Sequence, residues 1–98
     1  MSHPPTKEPA IASFVSKACP YCGKAMGKSG KYMATRDHAH IPKSKGGKLH
    51  GRNRIIACRS CNANKKDYPL IQWHDRLKRD QDPRAPKVAA ILAQHHHN

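Results

Sequence analysis

Four cysteines stand in two CxxC pairs, Cys19-Pro20-Tyr21-Cys22 and Cys58-Arg59-Ser60-Cys61, and that pairing constrains the fold more than any other feature. A CxxC turn presents two sulfurs about one tetrahedral edge apart, so two such turns brought together make the four-thiolate shell of a closed structural zinc site. Roughly 35 residues separate the pairs, a spacer that a hairpin closes easily. Lys24, Lys28 and Arg59 lie near the thiols and favour their metal-binding thiolate forms. Disulfide pairing and thioredoxin-type redox chemistry compete with this reading. The paired spacing and the lack of an export signal disfavour the first, and a redox motif needs no second copy. With all four ligands drawn from protein, no coordination position remains for substrate. The expected zinc stabilises a fold and does not catalyse.

The charge balance points to the partner. There are 19 Lys+Arg against 6 Asp+Glu, a formal net charge of +13. Between Lys17 and Lys66 the sole acid is Asp37. A cationic segment that dense repels itself unless it meets a polyanion, and nucleic acid is the first candidate, ahead of an anionic membrane surface. No apolar run is long enough to span a membrane. The N-terminus lacks the basic-then-apolar plan of a signal peptide, so a reducing, cytoplasmic location is expected.

At 98 residues the chain holds at most one compact domain, and its five aromatic residues promise only a thin core. Residues 1–17 are expected to be a flexible N-terminal segment, although Ala10–Val15 carries apolar surface that can pack. Residues 18–68 should form the zinc-clamped core. Lys31–His38 alternates as a strand, Ile41–Gly51 is a loop broken by Pro42 and Gly46-Gly47, and Asn53–Cys58 is a second strand. A short helix is expected from Arg59 to Tyr68. Residues 69–98 should form a helical extension, with Leu70, Trp73 and Leu77 on one stripe and Val88, Ile91 and Leu92 on another. Each stripe faces either the core or a protein partner. The terminal His95–Asn98 run is assigned no role.

The zinc thus pins the foot of a strand–loop–strand–helix unit, and inside it lie Asp37, His38, His40, Asn53 and Asn62. These residues and their order, with "CPYC", "RDH", "PKSKGG", "RNRIIAC" and "CRSCNANKKD", resemble the zinc-containing HNH endonucleases. The resemblance covers roughly Cys19 to Asp67. It implies an α+β fold, a small zinc-stabilised ββα-metal (HNH) finger to which this chain adds C-terminal helices. It also implies roles residue by residue. Asp37 looks like the carboxylate ligand of a catalytic divalent ion, and His38 like the general base that deprotonates the attacking water. Asn53 is similar to the middle Asn that ties the loop and holds the base. Asn62 looks like a second metal ligand, presented from the helix.

The chemistry suits those residue types. A phosphodiester is anionic, so hydrolysis needs positive charge where the leaving oxygen develops negative charge. A hard divalent ion on an Asp and an Asn oxygen supplies it, whether Mg²⁺, Mn²⁺, Ni²⁺ or Zn²⁺. An imidazole is matched to taking a proton from water near neutral pH. Between the Asp-His pair and the loop proline, "DHAHIP" carries one residue more than the common family pattern. His40 is therefore an alternative base in a shifted register, an extra metal ligand, a phosphate contact or a plain loop residue.

Lys43, Lys45, Lys48, Arg52, Arg54, Lys65 and Lys66 surround this constellation and are expected to neutralise DNA phosphates. Such contacts imply duplex binding with little sequence preference. The leading reading is a metal-dependent endonuclease acting on DNA. The alternatives are a non-catalytic zinc-stabilised nucleic-acid-binding module, or an adaptor whose C-terminal helices dock it onto a larger phage or restriction assembly.

Overall fold

The computed structural model describes residues 10–96. The first half of the segment expected to be flexible, residues 1–9, lies outside the described residues. Its remainder packs: a 3-10 turn over Ile11–Phe14 lays Ile11 and Phe14 against the core. That turn lies beside the first strand of the sheet.

That sheet is β1 (Ala34–His38) paired antiparallel with β2 (Arg54–Cys58), Ala34 opposite Cys58 and His38 opposite Arg54. The first strand is shorter than the alternation from Lys31 suggested, because Lys31 and Tyr32 are spent in a turn. Helix α1 (Arg59–Lys65) leaves β2 directly, and Cys58 is its N-cap, its Sγ accepting the Cys61 N–H at 3.4 Å. The second CxxC is therefore also the helix-initiating turn. The helix stops short of Tyr68, because Lys66 turns to φ 60, a conformation no helix continues through.

Helix α2 (Leu70–Arg79) follows Pro69, and its first N–H donates to the Ala39 carbonyl at 2.7 Å. Helix α3 (Ala85–His96) packs against α2. Leu70, Trp73, Leu77 and Val88 are buried in the chain's own core, with Ile91 and Leu92 packed against it. The two apolar stripes therefore face inward, with Ile91 and Leu92 only partly covered. Tyr21 and Trp73 meet edge to face at 5.1 Å in the middle of this core. Among the described residues no helix is long and apolar enough to cross a membrane.

The two knuckles converge as the spacing required. The Sγ atoms of Cys19, Cys22, Cys58 and Cys61 all lie within 4.8 Å of one another. The Cys22–Cys58 separation is 3.9 Å, against the edge of about 3.8 Å that a tetrahedral zinc–thiolate shell requires. Backbone N–H groups of Tyr21 and Cys58 point at Cys19 Sγ from 3.4 and 3.3 Å, and Arg84 reaches Cys61 Sγ at 3.6 Å. The Cys19 thiol is pulled down, first by the Cys61 thiol's hydrogen bond, which outweighs burial, and then by backbone N–H groups. Cys61 is pushed up, chiefly because it donates that same bond. Four sulfurs with this donor set fit a tetrahedral soft-ligand metal ion that displaces their protons.

Two tests follow from this architecture. Stripping metal with a strong chelator is expected to abolish the cooperative thermal transition, read by circular dichroism, and zinc is expected to restore it. Gly47 lies flush against the loop, where an added Cβ would meet the Ile41 carbonyl oxygen at 1.8 Å. Gly47→Ala is therefore expected to lose about 2 kcal/mol of stability or more, read from the denaturation midpoint, because backbone must move to admit the methyl.

Candidate active site

Residues 39–53 connect the strands, and Asn53 holds this connection together. Its Oδ1 accepts the N–H groups of His40 and Ile41, both at 2.7 Å, and its Nδ2 donates to the carbonyls of Ile41 (3.0 Å) and Lys48 (2.8 Å). All four hydrogen-bonding positions of one amide are thus used on loop backbone. Ala39 is pinned as tightly. It is fully buried, its N–H donates to Asn53 O at 3.0 Å, and its carbonyl accepts from Leu70.

That pinning separates the two histidines. β1 ends at His38, so the strand does not carry both rings onto one face. His38 lines a cavity of about 220 Å³ with Asp37, Asn62, Lys43, Lys66 and Asp67. His40 lines a different one with Arg52, Ile71, Leu92 and His95. Its Nε2 lies 2.8 Å from His95 Nδ1, the rings edge to face. Burial first, then the neighbouring His95 and Lys65, hold His40 below the usual imidazole range. His95, from the run given no role, is thus a structural partner of the loop.

Asp37 is 2% exposed. Its Oδ2 accepts the Tyr21 hydroxyl at 2.6 Å, and its Oδ1 accepts the Lys65 ammonium at 3.1 Å. Burial first, then the Asp37 charge, raises the Tyr21 phenol far above its ordinary range, so it remains a donor. A carboxylate offers about four lone-pair positions, so two remain for other partners. Asn62 turns its Nδ2 inward, to Thr35 Oγ1 at 3.1 Å and the Arg36 carbonyl at 3.2 Å. A carbonyl accepts only, which fixes the amide orientation and leaves Oδ1 as the outward atom. One carboxylate and one amide oxygen on the same cavity are a donor set suited to a hard divalent ion that completes its shell with water or phosphate.

The basic residues divide into groups. Lys43 and Lys66 rim the cavity, and Lys45 and Lys48 are exposed on the loop. Arg52 donates to the His95 carbonyl at 2.8 Å, tying the loop to the end of α3, and Arg54 is half-buried on β2. Lys65 does not belong with them. It is fully buried and donates to Asp37 and, at 2.9 Å, to the His38 carbonyl, so no phosphate can reach it.

Three residues here escaped the sequence reading. Tyr21 sat inside a knuckle and read as spacer, and Lys65 read as one more surface charge. Asp67 joins the cavity rim. Its carboxyl is held below the usual range by the Ser44 hydroxyl first, then by the Ser44 and Lys43 backbone N–H groups and the His38 charge. The "NKKD" order was the sole signal available for the last two.

Comparisons with curated proteins and with solved structures return no match. A family model described as HNH endonuclease does match, over residues 19–68. That span takes in both CxxC pairs, both strands, α1 and every residue lining the cavity, just over half of the chain, and this protein belongs to the HNH endonuclease family.

Proposed function

We propose that the chain hydrolyses phosphodiester bonds of DNA, with His38 as general base and Asp37 and Asn62 as oxygen ligands of one divalent ion. One observation carries this reading: those three side chains line a single small cavity, while His40 is turned into another against α3. The ion, when bound, supplies positive charge at the leaving oxygen. Lys43 and Lys66 are placed to hold the phosphate at the cavity mouth. His38 takes a proton from the attacking water, and the imidazolium so formed lies within the field of Asp67. Asn53 fixes the loop that begins one residue after His38, and so sets where the base can sit. The cysteine cluster, read as structural zinc, stays out of the reaction.

A second reading has one observation in its favour. Both carboxylate oxygens of Asp37 already have protein partners, as in a purely structural ion pair. On that reading the domain is a zinc-stabilised module that grips nucleic acid without cutting it.

Cleavage of supercoiled plasmid decides between the two. Zinc-loaded wild type, His38→Ala and His40→Ala are compared with Mg²⁺, Mn²⁺, Ni²⁺ or EDTA. Wild type is expected to nick when metal is added, with His38→Ala slower by about 10²–10⁴-fold. His40→Ala should stay within a few-fold of wild type. Folded wild type that binds DNA but cuts with none of these metals would establish the binding module instead. Loss of activity in His40→Ala alone would move the base to His40.

Salt dependence tests the DNA surface. Lys43→Gln and Lys66→Gln are each expected to reduce the slope of log K against log salt by about 1, as one phosphate contact is lost. A Lys45→Gln and Lys48→Gln pair reports on the loop in the same way.

A further inference from the structure

Asp37 and Lys65 are the two charged residues buried in the described chain, and they are bonded to each other. Lys65 also donates to the carbonyl of His38. One ammonium on the last turn of α1 thus touches both the proposed metal ligand and the residue proposed as base. Burying a lysine is expensive in so thin a core, and an apolar pair of similar volume is often the more stable solution. Packing alone gives no reason for this cation.

Charge does. The cavity presents the carboxylates of Asp37 and Asp67 with the ammoniums of Lys43 and Lys66, and Lys65 adds a third positive charge directly behind Asp37. A divalent cation entering the free protein therefore finds more positive than negative charge, with one neutral amide oxygen and one already-neutralised carboxylate as ligands. The missing negative charge is what a nucleic-acid phosphate brings.

Resting on the nuclease reading above, we propose that Lys65 is a positioning residue and built-in counter-ion for Asp37. It holds the carboxylate in place before any metal arrives and makes divalent-ion binding conditional on a bound phosphodiester. Metal and nucleic acid then bind with positive coupling, each raising the affinity of the other by the same factor. In the DNA-free protein the Lys65 charge replaces the metal's. With the phosphate in place, its charge offsets the repulsion between ammonium and metal.

The test is Mn²⁺ binding, followed by loss of the free-ion paramagnetic resonance signal. It uses the zinc-loaded full chain carrying His38→Ala, so that DNA stays intact, with and without a short duplex. Mn²⁺ is expected to bind at least about tenfold tighter with duplex. Lys65→Gln keeps a donor near Asp37 without the charge, and Lys65→Met removes both. Either is expected to raise DNA-free Mn²⁺ affinity by about tenfold or more and to shrink the coupling. The Gln variant guards against a Met variant that does not fold, and zinc content with circular dichroism checks both.

Equal Mn²⁺ affinity with and without duplex in the Lys65 protein would overturn the proposal without any Lys65 variant. So would folded Lys65→Gln and Lys65→Met proteins that bind Mn²⁺ as the Lys65 protein does. Asp37→Asn separates this failure from that of the nuclease reading. If it binds Mn²⁺ as tightly as the Asp37 protein, the ligand assignment itself falls, and the counter-ion role with it.

Discussion

Everything else in this domain depends on the convergence of four sulfurs. Cys19 and Cys22 precede β1, while Cys58 ends β2 and Cys61 lies in α1, so bringing them together closes the hairpin and sets the helix at its exit. The large side chains left to a conventional core are few, chiefly Tyr21, Trp73, Leu70, Leu77 and Val88. They gather against the cluster, and the described residues form this one core. A four-thiolate zinc centre carries net negative charge, and Arg84 answers it. Its guanidinium reaches Cys61 Sγ, pairs with Asp82 at 2.7 Å and lies 5.2 Å from the Trp73 ring centre. One arginine just before α3 thereby ties the helical extension to the metal-binding knuckle.

The same knuckle reaches the candidate active site. Tyr21 stands between two of the cysteines, packs its ring on Trp73 and spends its hydroxyl on Asp37. Stability and site geometry are therefore linked through one side chain. A perturbed cluster moves Tyr21, and moving Tyr21 leaves Oδ2 of a buried carboxylate without its donor. Truncating one partner of a buried charged pair typically costs about 3–5 kcal/mol, so the Asp37 environment can neither drift nor be lightly altered. In a domain this small, the fold and the site share their interactions because there is too little interior to separate them.

How much of this was legible in the sequence differs by kind of signal. The four-cysteine cluster, both strands, α1 and the two C-terminal helices follow from cysteine spacing, β-branched runs and apolar periodicity, all local patterns. The boundaries that moved did so for local reasons, such as the turn at Lys31 and the positive φ of Lys66. Lys65 was misread because a lysine inside "NKKD" looks like a solvated charge run. What buries it is an acid 28 positions earlier, brought across by the sheet-to-helix turn. The fate of His40 was equally hidden. It depends on a strand ending one residue after Asp37 and on a helix end 55 positions away.

The stretch from His38 to Pro42 is held by the elements on either side of it. Ala39 is bonded on both sides, to Asn53 and to the first N–H of α2. His40 and Ile41 follow, their N–H groups converging on the single oxygen of Asn53, with Ile41 itself 53% exposed. His38 keeps its place at the strand end because the sheet register and the α2 cap fix the backbone on either side of it.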